Sequence, residues 1–238
     1  MDALFFGAHP DDVELSCAGL AARLAEGGRG VGIVDLTRGE AASRGTVAER
    51  ALEATAAARE LGVASRENLE LPDLGIDRSD RAQLAAVVGC LRRHRPVLVV
   101  APHADDEHPD HVEAASLIAR ACYIAGLARF GDGAHRHRPA RLLHALYRGA
   151  EPPQLVVDVS AAWERRMRAL ACHASQLEPS RGPATYLTRP AFLAEVEARA
   201  RSWGALIGVS FGEAYRSRVP LGVFDPAVLL ECPPEATP

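Results

Sequence analysis

Two short stretches of this sequence concentrate groups that can move protons or hold a metal. The first is Gly7-Ala8-His9-Pro10-Asp11-Asp12, where acid-base groups crowd a turn fixed by proline. The second is Pro102-His103-Ala104-Asp105-Asp106-Glu107-His108-Pro109-Asp110-His111, which packs three histidines and four acids into ten residues. Either one alone could be a polar loop whose aspartate caps a helix. Together they offer two imidazoles and a carboxylate, a ligand set for catalytic zinc that leaves a position for water. On that reading His9, Asp12 and His111 bind the metal, which brings the pKa of a water toward ~7. Asp11 takes the proton of that water as general base. His108 acts as the electrophilic acid, stabilising the oxyanion and protonating the departing amine. Asp110 orients a ligand histidine from behind. Oxygen and nitrogen ligands also suit iron, cobalt or manganese, with zinc favoured.

The elements around these stretches explain how they could meet. Ala3 to Ala8 reads as a short apolar strand, Val13 to Glu26 as a helix stopped by Gly27-Gly28, and Val31 to Leu36 as a second strand. Val47 to Leu61 reads as an Ala-rich helix ending at Gly62, Asn68 to Leu71 as a third strand, and Ser79 as the cap of a helix to about His94. Val97 to Ala101 is a continuous apolar run, expected of a strand covered on both faces. Asp110 can cap a helix through Ile124. Further strands are predicted near Leu142 to Tyr147 and Leu155 to Val159, with helices near Ala161 to His173 and Ala191 to Ile207. Alternating elements of this kind imply an α/β fold, a Rossmann-like and mostly parallel sheet with helices on both faces. With strand order 3-2-1-4-5 at its core, strands 1 and 4 are neighbours, and ligands bind beyond their carboxyl ends. The two motifs sit at those two ends. The whole chain, 1–238, reads as one domain whose less regular last third, about 140–238, completes a wall of the site.

Composition excludes several classes. A formal net charge of -4 gives no footprint for nucleic acid, and no apolar run approaches the ~18–20 residues that cross a bilayer. The first residues lack the basic region and cleavage site of a signal peptide, so a cytoplasmic location is expected. The cysteines Cys17, Cys90, Cys122, Cys172 and Cys232 are odd in number and widely spaced, without Cys-x-x-Cys. That argues against a disulfide framework and a thiolate zinc site, and for small buried hydrophobes. A nucleotide-binding protein is disfavoured because Gly-x-Gly-x-x-Gly does not follow the first strand and acids there would repel a pyrophosphate. His135 to Arg141 is a basic run, read as a solvated segment or as a rim attracting an anionic substrate. His94, beside Arg92, Arg93 and Arg95, suits a helix C-terminus and is given no function. Tyr186 is a candidate to reach the site from the last third.

At His9 to Asp12 and His108 to His111 the sequence resembles the LmbE-like, or PIG-L, zinc N-deacetylases, which carry Ala-His-Pro-Asp-Asp and His-Pro-Asp-His motifs after the first and fourth strands. The resemblance implies a Rossmann-like fold, one zinc per subunit and removal of acetyl from N-acetylglucosaminyl compounds. It implies the same roles for the matched residues. The segment Gly32 to Glu40, then Arg44-Gly45-Thr46, Arg50, Glu67-Asn68-Leu69, Leu71-Pro72-Asp73, His137-Arg138-Pro139 and Val156 to Ser160 are similar to the branch acting on N-acetylglucosaminyl malate in bacillithiol synthesis. From that branch Arg50 is implied to contact the acidic end of the substrate, in bidentate fashion, and a homo-oligomer is implied. One position departs: the branch commonly has arginine before His108, where this chain has Glu107. Arg44, Arg136 or Arg138 could compensate for that charge.

Overall fold

The structure, a computed structural model, describes residues 1–131, 135–148 and 151–230, so Cys232 lies outside the described residues. Its strands are β1 (Ala3–Gly7), β2 (Val31–Thr37), β3 (Ser65–Leu71), β4 (Leu98–Pro102), β5 (Arg141–Ala145), β6 (Leu155–Asp158) and β7 (Gly212–Arg216). They make one seven-stranded sheet in the order β3-β2-β1-β4-β5-β7-β6. The expected order holds across the first five strands. β7 was not expected. It enters antiparallel between β5 and β6, and its buried Glu213 breaks the apolar pattern that would have marked a strand.

The helices are α1 (Asp12–Ser16), α2 (Ala18–Glu26), α3 (Val47–Leu61), α4 (Arg81–His94), α5 (Pro109–Ile124), α6 (Trp163–Ala171), α7 (Ala174–Leu177) and α8 (Phe192–Ala205). β1 is buried throughout because both its faces are covered. Leu4 and Phe6 pack with residues of α4 and α5, while Ala3 and Phe5 pack with residues of α2, α3 and α6. This alternation follows from side chains pointing to opposite faces of a strand. The pairs Ala3 with Leu98 and Phe5 with Val100 set β1 beside β4 in parallel. Their carboxyl ends, and the two motifs, therefore lie side by side.

Three helix starts differ from the sequence reading. The expected single helix from Val13 to Glu26 is two helices broken at Cys17. Buried Glu213 accepts the N–H groups of Gly19 and Leu20 at 2.7 and 2.8 Å and so caps α2. Arg166, 3.4 Å from Glu213, donates to the carbonyls of Glu14 and Leu15 at the end of α1. The break is thus held by an ion pair from distant segments, which local spacing does not reveal. The cap of α4 is Asp80 rather than Ser79, its carboxylate accepting from Ala82 and Gln83. The cap of α5 is His108, not Asp110. Pro109 has no N–H and a helical φ, which favours it at the first helical position. Asp110 is thereby drawn into the first turn and buried. The α3 boundaries agree with the reading: Thr46 and Glu49 form a capping box and Gly62 closes the helix at φ 72°.

Candidate metal centre

The turn after β1 is built for close approach. A Cβ on Gly7 would fall 2.9 Å from the carbonyl oxygen of His9, so a larger residue would displace the turn. The His9 N–H donates to Asp12 Oδ2 at 2.8 Å, folding Asp12 back over the strand end. From the other motif, α5 carries His111 one turn in from its start.

Three expected ligands converge. Asp12 Oδ2 lies 3.5 Å from His9 Nδ1 and Asp12 Oδ1 lies 3.2 Å from His111 Nε2. Ligand atoms ~2.0–2.1 Å from a tetrahedral ion stand about 3.3–3.4 Å apart, and these separations are of that size, each measured from a different Asp12 oxygen. His108 stacks against His111 with centroids 4.9 Å apart, and nitrogens of His9, His108 and His111 also lie within 4.8 Å of one another. Asp12 adds a negative charge beside the imidazoles of both His9 and His111.

The outer nitrogens of the two imidazoles meet carboxylates. His9 Nε2 is 3.1 Å from Asp73 Oδ1 and 3.3 Å from Asp110 Oδ2. His111 Nδ1 is 3.1 Å from Asp106 Oδ2. Asp110, expected to orient one of the histidines, has its Oδ2 on the His9 side of the cluster. Asp73 and Asp106 carried no assigned role. Asp106 was visible as one acid among several, whereas Asp73 arrives from the turn after β3. That turn is tied in by the N–H of Ala41 on Asp73 Oδ2 and the N–H of Leu74 on Asp110 Oδ2, both at 2.8 Å. Leu74 adopts φ 60°, a left-handed conformation costing ~1–2 kcal/mol for such a residue, and this bond holds it there.

Charge explains the titration of the cluster. Burial opposes a charged His9, but the carboxylates of Asp110, Asp12 and Asp73 together raise it well above the usual histidine range. His111 is likewise pushed up to about 10, with Asp12 and Asp106 overcoming burial. Burial works against ionised Asp12, yet His111 and His9 hold it well below the usual carboxylate range. This is a pocket that seeks positive charge. Burial lowers His108, and the neighbouring His9 and His111 add to that.

Asp11 lines the same cavity and is raised chiefly by burial, with Arg50 pulling the other way. Arg50 is buried in that wall. Its Nη2 donates to Asp11 Oδ1 at 3.2 Å and to the Pro10 carbonyl at 3.3 Å, and its Nη1 donates to the Gly39 carbonyl at 3.2 Å. The expected two-pronged grip on a substrate carboxylate is therefore largely occupied, because the guanidinium already faces Asp11. Its Nε is buried without a protein partner among the described residues. Gly39, at φ 67°, is required here, since a Cβ would lie 1.8 Å from Arg50 Nη1.

The cavity in front measures about 400 Å³, within the range of small-molecule sites. Tyr147, Arg148, Gln176, Tyr186 and Leu187 form its far wall, so the last third of the chain does contribute. Tyr186 Oη donates to Glu195 at 2.7 Å. Glu107, whose side chain is 88% exposed, pairs with Arg148 at 3.3 Å, and Arg148 lies 3.7 Å from the Tyr186 ring centre. The three arginines expected to offset Glu107 lie elsewhere. Arg44 is buried against the carbonyls of Ser175, Glu178 and Pro183, Arg138 covers Tyr123, and Arg136 is outside the cavity lining.

What this fold and this cluster define is a metal-dependent amidohydrolase. Residues 4–122, which hold every candidate ligand and acid-base group, match the PIG-L family, GlcNAc-PI de-N-acetylase, and the chain belongs to that family. A solved structure of a conserved protein, TT1542, from Thermus thermophilus superposes with a TM-score of 0.85 at 34% identity, covering 94% of this chain and 97% of that one. A 1D-myo-inositol 2-acetamido-2-deoxy-alpha-D-glucopyranoside deacetylase of Rhodococcus opacus is 25% identical, over 73% of this chain and 81% of its own. A diacetylchitobiose deacetylase of Thermococcus kodakarensis is 29% identical, over 71% of this chain and 67% of its own.

Proposed function

We propose that this protein hydrolyses the acetamide of an acetamido-sugar conjugate, releasing acetate and a free amine, with zinc held by His9, Asp12 and His111. The observation that carries this reading is the pair of separations from Asp12 to the two imidazoles, 3.5 and 3.2 Å, in front of a cavity also lined by Asp11 and His108. The bound ion would polarise the amide carbonyl and acidify a water to near-neutral pH. Asp11 accepts the proton of the attacking water, held in orientation by Arg50. Burial favours its protonated form, which suits a group that carries a proton for part of the cycle. His108 Nδ1 accepts the N–H of Asp110 at 3.2 Å, so the neutral ring carries its proton on Nε2. That favours the first of its two expected tasks, donating to the oxyanion. Protonating the amine would need a cationic ring and would break the cap, so the proton returns to nitrogen from Asp11.

The two curated relatives act, by name, on an inositol-linked acetamido sugar and on a diacetylated disaccharide, and neither is a malate conjugate. One observation favours the narrower reading of N-acetylglucosaminyl malate: Arg148 brings a cation to the rim, where its ion-pair partner among the described residues is the exposed Glu107. Acetate release from free N-acetylglucosamine, diacetylchitobiose, an inositol conjugate and the malate conjugate, with and without chelator, tests both levels. Turnover of any of these that is abolished by chelator and restored by zinc is expected. Hydrolysis indifferent to chelator would refute the reading, and a preference for neutral conjugates would refute the malate branch.

A further inference from the structure

At the edge strand β3, outside the lining of the active-site cavity, lies a second group of metal-ligating side chains. Glu67 stands on β3, the edge strand, and faces α4, where Cys90 and His94 are one turn apart and share a face. Cys90 Sγ and His94 Nε2 approach the same oxygen, Glu67 Oε1, at 3.0 and 2.9 Å. The three ligand atoms lie within 4.8 Å of one another. None of these residues lines the active-site cavity, and His94 sits at the end of α4 where its carbonyl takes the N-terminal amine of Met1 at 2.8 Å.

We propose that Glu67, Cys90 and His94 form a second, structural site for zinc or another thiophilic divalent cation, fastening the edge strand to the helix above it. One sulfur, one imidazole nitrogen and one carboxylate oxygen are ligands zinc accepts together. Two donors converging on a single acceptor atom place their electron pairs within a small movement of one ion. Binding replaces the Cys90 proton, which is released to solvent, and shifts the His94 proton to Nδ1. Glu67 is half-buried and His94 more deeply so, and the exposed side of Glu67 would leave the fourth position to water. Arg93 Nη2 also touches Glu67 at 3.2 Å, but its side chain is exposed and free to move outward. In the metal-free form burial and Glu67 raise the Cys90 thiol, so this cysteine is unsuited to act as a nucleophile. The odd number and wide spacing of the cysteines and the lack of Cys-x-x-Cys argue against a thiolate zinc site, but a site with a single thiolate needs no such pair.

Zinc-saturated protein, passed through gel filtration and assayed by elemental analysis, should hold about two ions per chain. Cys90→Ser with His94→Gln should hold one and keep its deacetylation rate, whereas His111→Ala should lose the other ion and the activity. Cobalt-loaded protein should show a thiolate-to-cobalt charge-transfer band that Cys90→Ser abolishes. A single ion in the wild-type chain, a band that survives Cys90→Ser, or no band at all would overturn the proposal while leaving the catalytic centre untouched. His94→Gln alone, at a half-buried position, gives the same stoichiometry test should Cys90→Ser fold poorly.

Discussion

The carboxylates behind the two imidazoles give the sharpest test of the catalytic metal centre. Asparagine in place of aspartate keeps the shape and a carbonyl oxygen for the imidazole N–H, and removes the charge. His9 Nε2 has two such partners, at 3.1 and 3.3 Å, whereas His111 Nδ1 has Asp106 at 3.1 Å. Loss of such a partner weakens metal binding about 10–100-fold, or ~1.4–2.7 kcal/mol. Asp73→Asn leaves Asp110 on the same nitrogen, so its effect should fall near the lower end. Asp106→Asn removes the charge on His111 Nδ1 and should fall near the upper end. Proton competition works against both losses. Without the carboxylate the imidazole pKa drops, fewer protons have to be displaced near neutrality, and part of the lost affinity returns. The deficit should therefore be larger at about pH 9 than at about pH 7. Competition for zinc against a chromophoric chelator at the two pH values measures it. Asp106→Asn binding within about twofold of wild type at both, or a deficit that shrinks as pH rises, would refute the reasoning.

Zinc binding near neutral pH should release about two protons, one each from His9 and His111; calorimetry in buffers of different ionisation enthalpy reads the number, and a value near zero would show both rings already neutral. The folded pKa of His111, about 10, lies above its unfolded value, so the stability it lends the metal-free protein is complete below pH ~6.5 and lost as pH rises through about 10. The Tm gap between zinc-loaded and metal-free protein should thus widen over that window, and a gap that narrows would contradict it. Asp11→Ala should keep its metal and lower kcat about 10²–10⁴-fold; near-normal turnover with saturating zinc would remove Asp11 from the mechanism. Arg66 joins buried Glu14 at 2.6 Å and Asp35 at 2.8 Å, so Arg66→Met should cost about 3–5 kcal/mol in urea denaturation, and less near pH 5, where the abandoned carboxylates take up protons.

What the sequence discloses here follows from how locally each feature is determined. The apolar runs of β1 and β4 and the capping box of α3 are written in adjacent residues, and so are the two motifs. Their meeting needs only the sheet order. The break at Cys17 depends on Glu213, nearly two hundred residues away, and β7 hides because that same glutamate occupies a core position. Asp73 was beyond reach for a related reason. β3 is not a neighbour of β1, and only the turn through Leu74 carries its aspartate to His9. Arg50 reads as one face of an amphipathic helix, and nothing local tells whether that face meets water, substrate or Asp11. Glu107 was the opposite case, a visible anomaly whose partner, Arg148, lies forty-one residues on.

Two protons and one divalent cation carry the same charge, and the cluster is arranged so that either can satisfy it. The carboxylates of Asp12, Asp73, Asp106 and Asp110 favour the protonated forms of His9 and His111 in the metal-free protein. Loading of an ion held by these residues would exchange those protons for it and leave the surrounding carboxylates with nearly the same field. The fold then has no need to wait for metal, unlike small domains whose folding energy is metal binding. Asp11 has a counterion of its own, because Arg50 comes from α3 and reaches its Oδ1 at 3.2 Å. An arginine so placed acts on the reaction first through the orientation and charge of the base. Its Nε is buried without a protein partner among the described residues, and a lysine, with one donor head, could not serve Asp11, Pro10 and Gly39 in the same geometry.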